Sequence, residues 1–90
     1  MDEQLIDRVK KNEEIMDRVF GYVKVIKSSK STEAVMDSAR RYYEDAKYFA
    51  SKGDYISSLE AFAISWAYID AGLKTGMFSV PDELSIYFTV

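Results

Sequence analysis

Asp45 and Asp70 are the carboxylates whose positions first suggest chemistry, because two such groups held a few Å apart can divide into an acid and a base. Folding the chain back on itself at Gly53 places Asp45 about eight residues before the turn and Asp70 about seventeen after it. At about 1.5 Å of rise per helical residue the two lie roughly 13 Å apart along the axis. That exceeds the reach of a proton-sharing dyad and the usual separation of a glycosidase pair. A metal held by both is disfavoured on the same ground, unless two chains contribute different copies. The same fold-back sets Asp70 near Asp37, with Arg40 and Arg41 one turn away, so an ion pair from Asp70 to one of those arginines, or a cap on local backbone, is the expected role. Asp45 is expected to face solvent or bond a neighbouring tyrosine. Asp54 is placed to cap a helix.

Other reactive groups are scarce. The 90 residues include neither histidine nor cysteine, which removes thiolate nucleophiles, disulfides, the commonest metal ligands and the one side chain that titrates near neutrality unaided. Glycine-rich phosphate loops and Ser-His-Asp sets are missing as well. No enzymatic activity and no cofactor are expected.

Aromatic residues are plentiful instead. Tyr42, Tyr43, Tyr48, Tyr55 and Tyr68, with Trp66, gather on one predicted hairpin, and amphipathic rings suit either a core edge or a protein interface. Lys24, Lys27, Lys30, Arg40 and Arg41 form one local basic group. Lys24 and Lys27 also suit the C-terminal turn of a helix, where cations offset the dipole. Asn12 interrupts an apolar series, and a buried Asn can set the register of paired helices.

These residues must be carried by helices. Leu5, Val9, Asn12, Met16, Val19, Val23 and Ile26 advance by four and three, predicting a helix over about 2–27. On its other face Asp7 precedes Lys11, and Glu14 precedes Arg18, by four, the favourable order for side-chain pairs. The small polar run from Ser28 to Thr32 ends it, with Ser31 or Thr32 as the next N-cap. Val35, Ala39, Tyr42, Ala46 and Phe49 give a second helix over about 32–52. Gly53 then supplies a left-handed terminator. Leu59, Phe62, Trp66, Ile69 and Leu73 give a third helix over about 55–75, in which Ala61, Ala63, Ala67 and Ala71 allow close approach and Gly76 ends the run. The short turn at Lys52-Gly53-Asp54 requires helices two and three to be antiparallel. Pro81 marks a turn, and the alternation from Leu84 to Val90 predicts an extended tail over 77–90, lying on the bundle or adding as a strand to a partner. The expected fold is all-α, a three-helix up-down bundle in one domain spanning 1–90.

The run Tyr42-Tyr43-Glu44-Asp45-Ala46-Lys47-Tyr48-Phe49, then Gly53-Asp54-Tyr55, then Trp66-Ala67-Tyr68-Ile69-Asp70-Ala71-Gly72 and Gly76-Met77-Phe78, resembles the short archaeal proteins grouped as domain of unknown function 357. The resemblance covers roughly positions 32 to 80. It implies a compact helical protein of archaeal cytoplasm, and the family brings no assigned activity. The Ala-x-x-Tyr, Gly-Asp-Tyr and Ala elements are also similar to one tetratricopeptide unit, but a lone unit cannot bury its own face and no second copy is present. A likeness to helical RNase domains of toxin systems fails at their Arg-to-His motif, since this chain has no histidine.

Composition sets the remaining bounds. With 48% hydrophobic residues and one proline the chain should fold, and a net charge of −3 disfavours a general nucleic-acid or anionic-membrane binder. The acidic start, Asp2-Glu3, lacks the order of a signal peptide, and no apolar run reaches membrane-spanning length. A cytoplasmic interaction or assembly protein that forms a homodimer is the leading expectation. The alternative is an RNA- or nucleotide-associated accessory domain using the basic group and exposed tyrosines.

Overall fold

The computed structural model describes residues 2–89. Three long helices, α1 (Glu3–Tyr22), α2 (Lys30–Ser51) and α3 (Tyr55–Lys74), carry the fold. Each starts at a side-chain cap that satisfies backbone N–H groups which have no partner inside the helix. Asp2 accepts from the amides of Gln4 and Leu5, Ser29 from Thr32, and Asp54 from Ser57. The second cap thus lies earlier than Ser31 or Thr32. Thr32 sits inside the helix, buried, its hydroxyl bonded to that of Ser29.

α2 and α3 form an antiparallel hairpin about the left-handed Gly53, whose φ is +78°. Two matched rungs hold it. Ser58 Oγ donates to the Ala46 carbonyl at 2.8 Å, and Ser65 Oγ donates to the Ala39 carbonyl at 2.7 Å. All four residues are buried. Small side chains in both helices, repeated at seven-residue spacing, let the backbones approach closely enough for these bonds. α1 packs mainly against α3 through Val9, Ile15, Met16 and Val19, facing Phe62 and Ile69 in the core.

The first helix is shorter than its apolar spacing predicts. It ends at Tyr22, and Lys24–Val25 forms a strand, β1, antiparallel to β2 (Phe78–Ser79). Ile26 extends the contact, donating its N–H to the Met77 carbonyl at 2.8 Å. Val23-Lys24-Val25-Ile26 is β-branched at three of four positions, which favours extended backbone. Ile26, read as part of the apolar stripe, is 62% exposed. Because β1 follows α1 and β2 follows α3, the pairing brings the C-terminal ends of both helices together. α1 and α3 therefore run parallel, with α2 opposed, giving the up-down arrangement.

The C-terminal segment is folded rather than extended. After Pro81 a short helix, α4 (Asp82–Ser85), leads into a turn, and Leu84 and Phe88 are buried while Ile86 is 77% exposed. Apolar residues at 84, 86 and 88 satisfy a period of two, but 84 and 88 alone satisfy a helical turn. Pro81, with φ preset, and two acidic residues in the first turn favour the helical solution. Val90 lies outside the described residues.

Candidate functional site

α3 carries three charged residues in twenty, against nine in twenty for α1 and eight in twenty-two for α2. A helix this apolar on all sides belongs inside a protein. Only one side of α3 is inside. Ser58, Ala61, Phe62, Ser65, Ile69 and Gly72 are buried, whereas Ile56, Glu60, Ala63, Ile64, Ala67, Ala71 and Lys74 are exposed. Positions 56, 60, 63, 67, 71 and 74 advance by four and three, so they form one continuous stripe opposite the core.

Two walls flank that stripe. On one side Tyr68 stacks on Tyr42, ring centroids 6.1 Å apart. A shallow apolar groove lies along Ala63, Ile64, Ala67, Tyr68 and Ala71. On the other side the folded tail lies against Trp66, whose ring meets Tyr87 and Phe88 at 6.4 and 6.0 Å and whose Nε1 donates to the Tyr87 carbonyl at 2.8 Å. Asn12 of α1 borders this second groove, together with Ala63, Ala67 and Asp70. Asn12 is half-buried there, not sealed between helices.

Asp70 anchors the tail. It accepts from the Thr89 N–H at 3.0 Å and from the Thr89 hydroxyl at 2.8 Å, and Lys74 lies 3.6 Å away. The Thr89 bonds, the backbone one first, together with the Lys74 charge, hold its carboxyl below the usual value. The expected pairing with Arg40 or Arg41 does not form. Arg41 is bound to Asp37 at 3.2 Å on its own helix, and the Arg40 guanidinium sits 5.2 Å over the Phe20 ring. A carboxylate one turn away on the same helix and a facing aromatic compete better than a residue across the hairpin. Lys24 lies in β1, Lys27 in the following loop and Lys30 at the start of α2, all exposed. The pairs Asp7–Lys11 and Glu14–Arg18 do not close to ion-pair distance among the described residues.

The aromatic residues do not make one surface. Tyr43 stacks on Phe20 at 4.2 Å and donates its hydroxyl to Asp17, to which Lys47 also bonds at 3.0 Å. Burial, then the Asp17 bond, raises the Tyr43 phenol, and the Asp17 bond raises the Lys47 amine. Both shifts hold the phenol protonated and the amine charged at neutral pH, the reverse of what proton abstraction by Tyr43 needs. The trio is a polar clasp between α1 and α2. Tyr48 is exposed, with Lys52 5.6 Å from its ring centre, and Tyr55 is half-buried beside Val9 and Ala50. Trp66 is covered by the tail. Of the six aromatics expected to face a partner, Tyr42 and Tyr68 on one side and the tail-packed Trp66 on the other are the ones beside the α3 stripe. Asp45 is exposed on α2. No group of three carboxylates able to hold a metal ion occurs among the described residues, and no helix is long and apolar enough to cross a membrane.

The family model described as "Protein of unknown function (DUF357)" matches residues 7–78. The chain belongs to the DUF357 family. The match takes in most of α1, so the family pattern extends further toward the N-terminus than the motifs of the hairpin indicate. A crystal structure of a DUF357 protein from Archaeoglobus fulgidus superposes with a TM-score of 0.74 over 88% of this chain and 96% of that one, at 24% identity. At that identity the likeness establishes the shared DUF357 fold. A comparison with curated proteins finds no significant match.

The Ser58 and Ser65 rungs and the Asp70–Thr89 anchor escape a reading of apolar spacing. Their sequence signal is the placement of Ser58 and Ser65 seven apart on the side of α3 that carries Phe62 and Ile69.

Proposed function

We propose that this DUF357 protein is a non-enzymatic assembly module that associates with a second copy of itself. The supporting observation is the outer stripe of α3, a helix too apolar for a solvent-facing role that leaves Ile56 65% and Ile64 39% exposed. Contiguous apolar surface of this kind is removed from water by association, at about 25 cal/mol for each Å². Self-pairing also suits the composition of the stripe, since alanines let two helices approach to the short end of the usual 8–10 Å spacing.

Sedimentation equilibrium at tens of micromolar is expected to give a dimer mass. Ala67→Arg, placing a cation at the centre of the stripe, is expected to give a monomer of unchanged helical content by circular dichroism. A wild-type monomer at that concentration ends the self-association reading. The nucleic-acid reading draws less support, because Arg40 and Arg41 are engaged locally.

A further inference from the structure

The stripe on α3 has a symmetry in its charges. Glu60 and Lys74, the two charged residues of the stripe, are equidistant from Ala67, as are Ala63 and Ala71. An isologous contact between two identical helices places every residue against its mirror position about the two-fold axis. With the axis through Ala67 and the helices antiparallel, Glu60 meets the partner's Lys74 twice, Ala63 meets the partner's Ala71, and Ala67 meets itself. A parallel contact would instead set Glu60 beside Glu60 and Lys74 beside Lys74, two repulsions in place of two attractions. Lys74 is exposed on the stripe even while it reaches Asp70, and Glu60 has no ion partner within its own chain among the described residues.

We infer that two copies of this chain dock α3 against α3, antiparallel, with the two-fold axis at Ala67 and reciprocal Glu60–Lys74 contacts closing both ends. This rests on the self-association reading above and adds its surface, direction and register. The occupant is a second copy because the stripe complements itself. The helix is apolar in the middle, acidic at one end and basic at the other, and the Tyr42–Tyr68 wall and the folded tail bound it on either side. The stretch from position 60 to 74, about 21 Å long and centred on Ala67, matches the same stretch of a second copy.

The chain has no cysteine, so any cysteine introduced is the sole thiol, and a disulfide reports which two positions touch. Across the proposed axis Ala67→Cys brings its Cβ within the roughly 3.5–4.5 Å a disulfide requires. Oxidation of A67C is expected to give a covalent dimer on a non-reducing gel. A63C and A71C alone lie about 12 Å from their own copies along the axis and stay uncrosslinked, but a mixture of the two crosslinks. Self-crosslinking of A63C and of A71C, with none in the mixture, means parallel pairing and overturns the register. A dimer by sedimentation with no crosslink at any of the three positions places the contact elsewhere, overturning this inference and leaving self-association intact. A wild-type monomer overturns both.

Charge reversal supplies the second arm. E60K and K74E are each expected to weaken the dimer about tenfold, and the double variant E60K/K74E to return within about threefold of wild type. A double variant no tighter than either single one overturns the reciprocal contact. Salt near 1 M is expected to narrow all of these differences.

Discussion

Asp70 is a small amount of chemistry with a large structural reach. Its carboxylate holds Thr89, and through Thr89 the tail that covers Trp66. Since the native carboxyl lies below the ordinary value, the unfolded chain binds the proton more readily, and the bond contributes stability above the ordinary carboxylate range. That contribution is lost as pH falls from roughly 5 through the lowered native value. Trp66 is the single tryptophan, so its fluorescence reports tail docking directly. Acidification is expected to shift its emission to the red over that window, and Asp70→Ala to show a partly shifted spectrum already at pH 7. Identical spectra and acid profiles for the two proteins would remove the anchor. At the same scale, the exposed Lys47–Asp17 pair, each side chain about 40% exposed, adds little, typically under about 1 kcal/mol.

The elements depend on close approaches between small and large residues. Gly72 is buried in α3 beneath the Phe78 ring, and a Cβ there would overlap that ring. Phe78 is itself buried. Gly72→Ala gains up to about 1 kcal/mol in helix propensity but forces Phe78 out, so a net loss of about 1–3 kcal/mol is expected in urea denaturation. Stabilisation would show the ring to be free to move. The elements themselves were largely legible. Apolar residues spaced by four and three, the cap at Asp54 and the glycines at 53 and 76 specify α3 and the end of α2 nearly to the residue, while the cap of α2 falls at Ser29 rather than at Ser31 or Thr32. The sequence is ambiguous where one pattern satisfies two periods. Val23 and Ile26 fit a helical stripe and a strand alike, and only β2, over fifty residues away, decides for the strand. Leu84, Ile86 and Phe88 present the same ambiguity in reverse. The Arg40 and Arg41 partners were illegible because a long side chain reaches several carboxylates and rings, and spacing on one hairpin cannot rank them. The outer stripe of α3 was half legible, its alanines being evident but not the absence of any element over them.

Across the whole molecule, polarity is divided by helix. α1 and α2 present charged outer faces, and α3 presents an apolar one between the tail and the Tyr42–Tyr68 pair. The up-down path makes most contacts local in sequence, which favours rapid folding. The α1–α3 packing and the β1–β2 ladder are the exceptions. Closing a loop of about 50 residues costs roughly 3.5 kcal/mol in chain entropy beyond a constant. Two paired residues and the Ile26–Met77 bond, each hydrogen bond worth about 1 kcal/mol net, cannot offset that alone. The ladder must wait until the α2–α3 hairpin has already brought its strands near. In native-state hydrogen exchange the Ile26 amide is therefore expected to open well before the amides of Ala46 or Ile69, and equal protection would mean that the ladder opens only with the core. A segment that joins last and parts first acts as a latch, setting the order in which the molecule assembles more than the strength with which it holds.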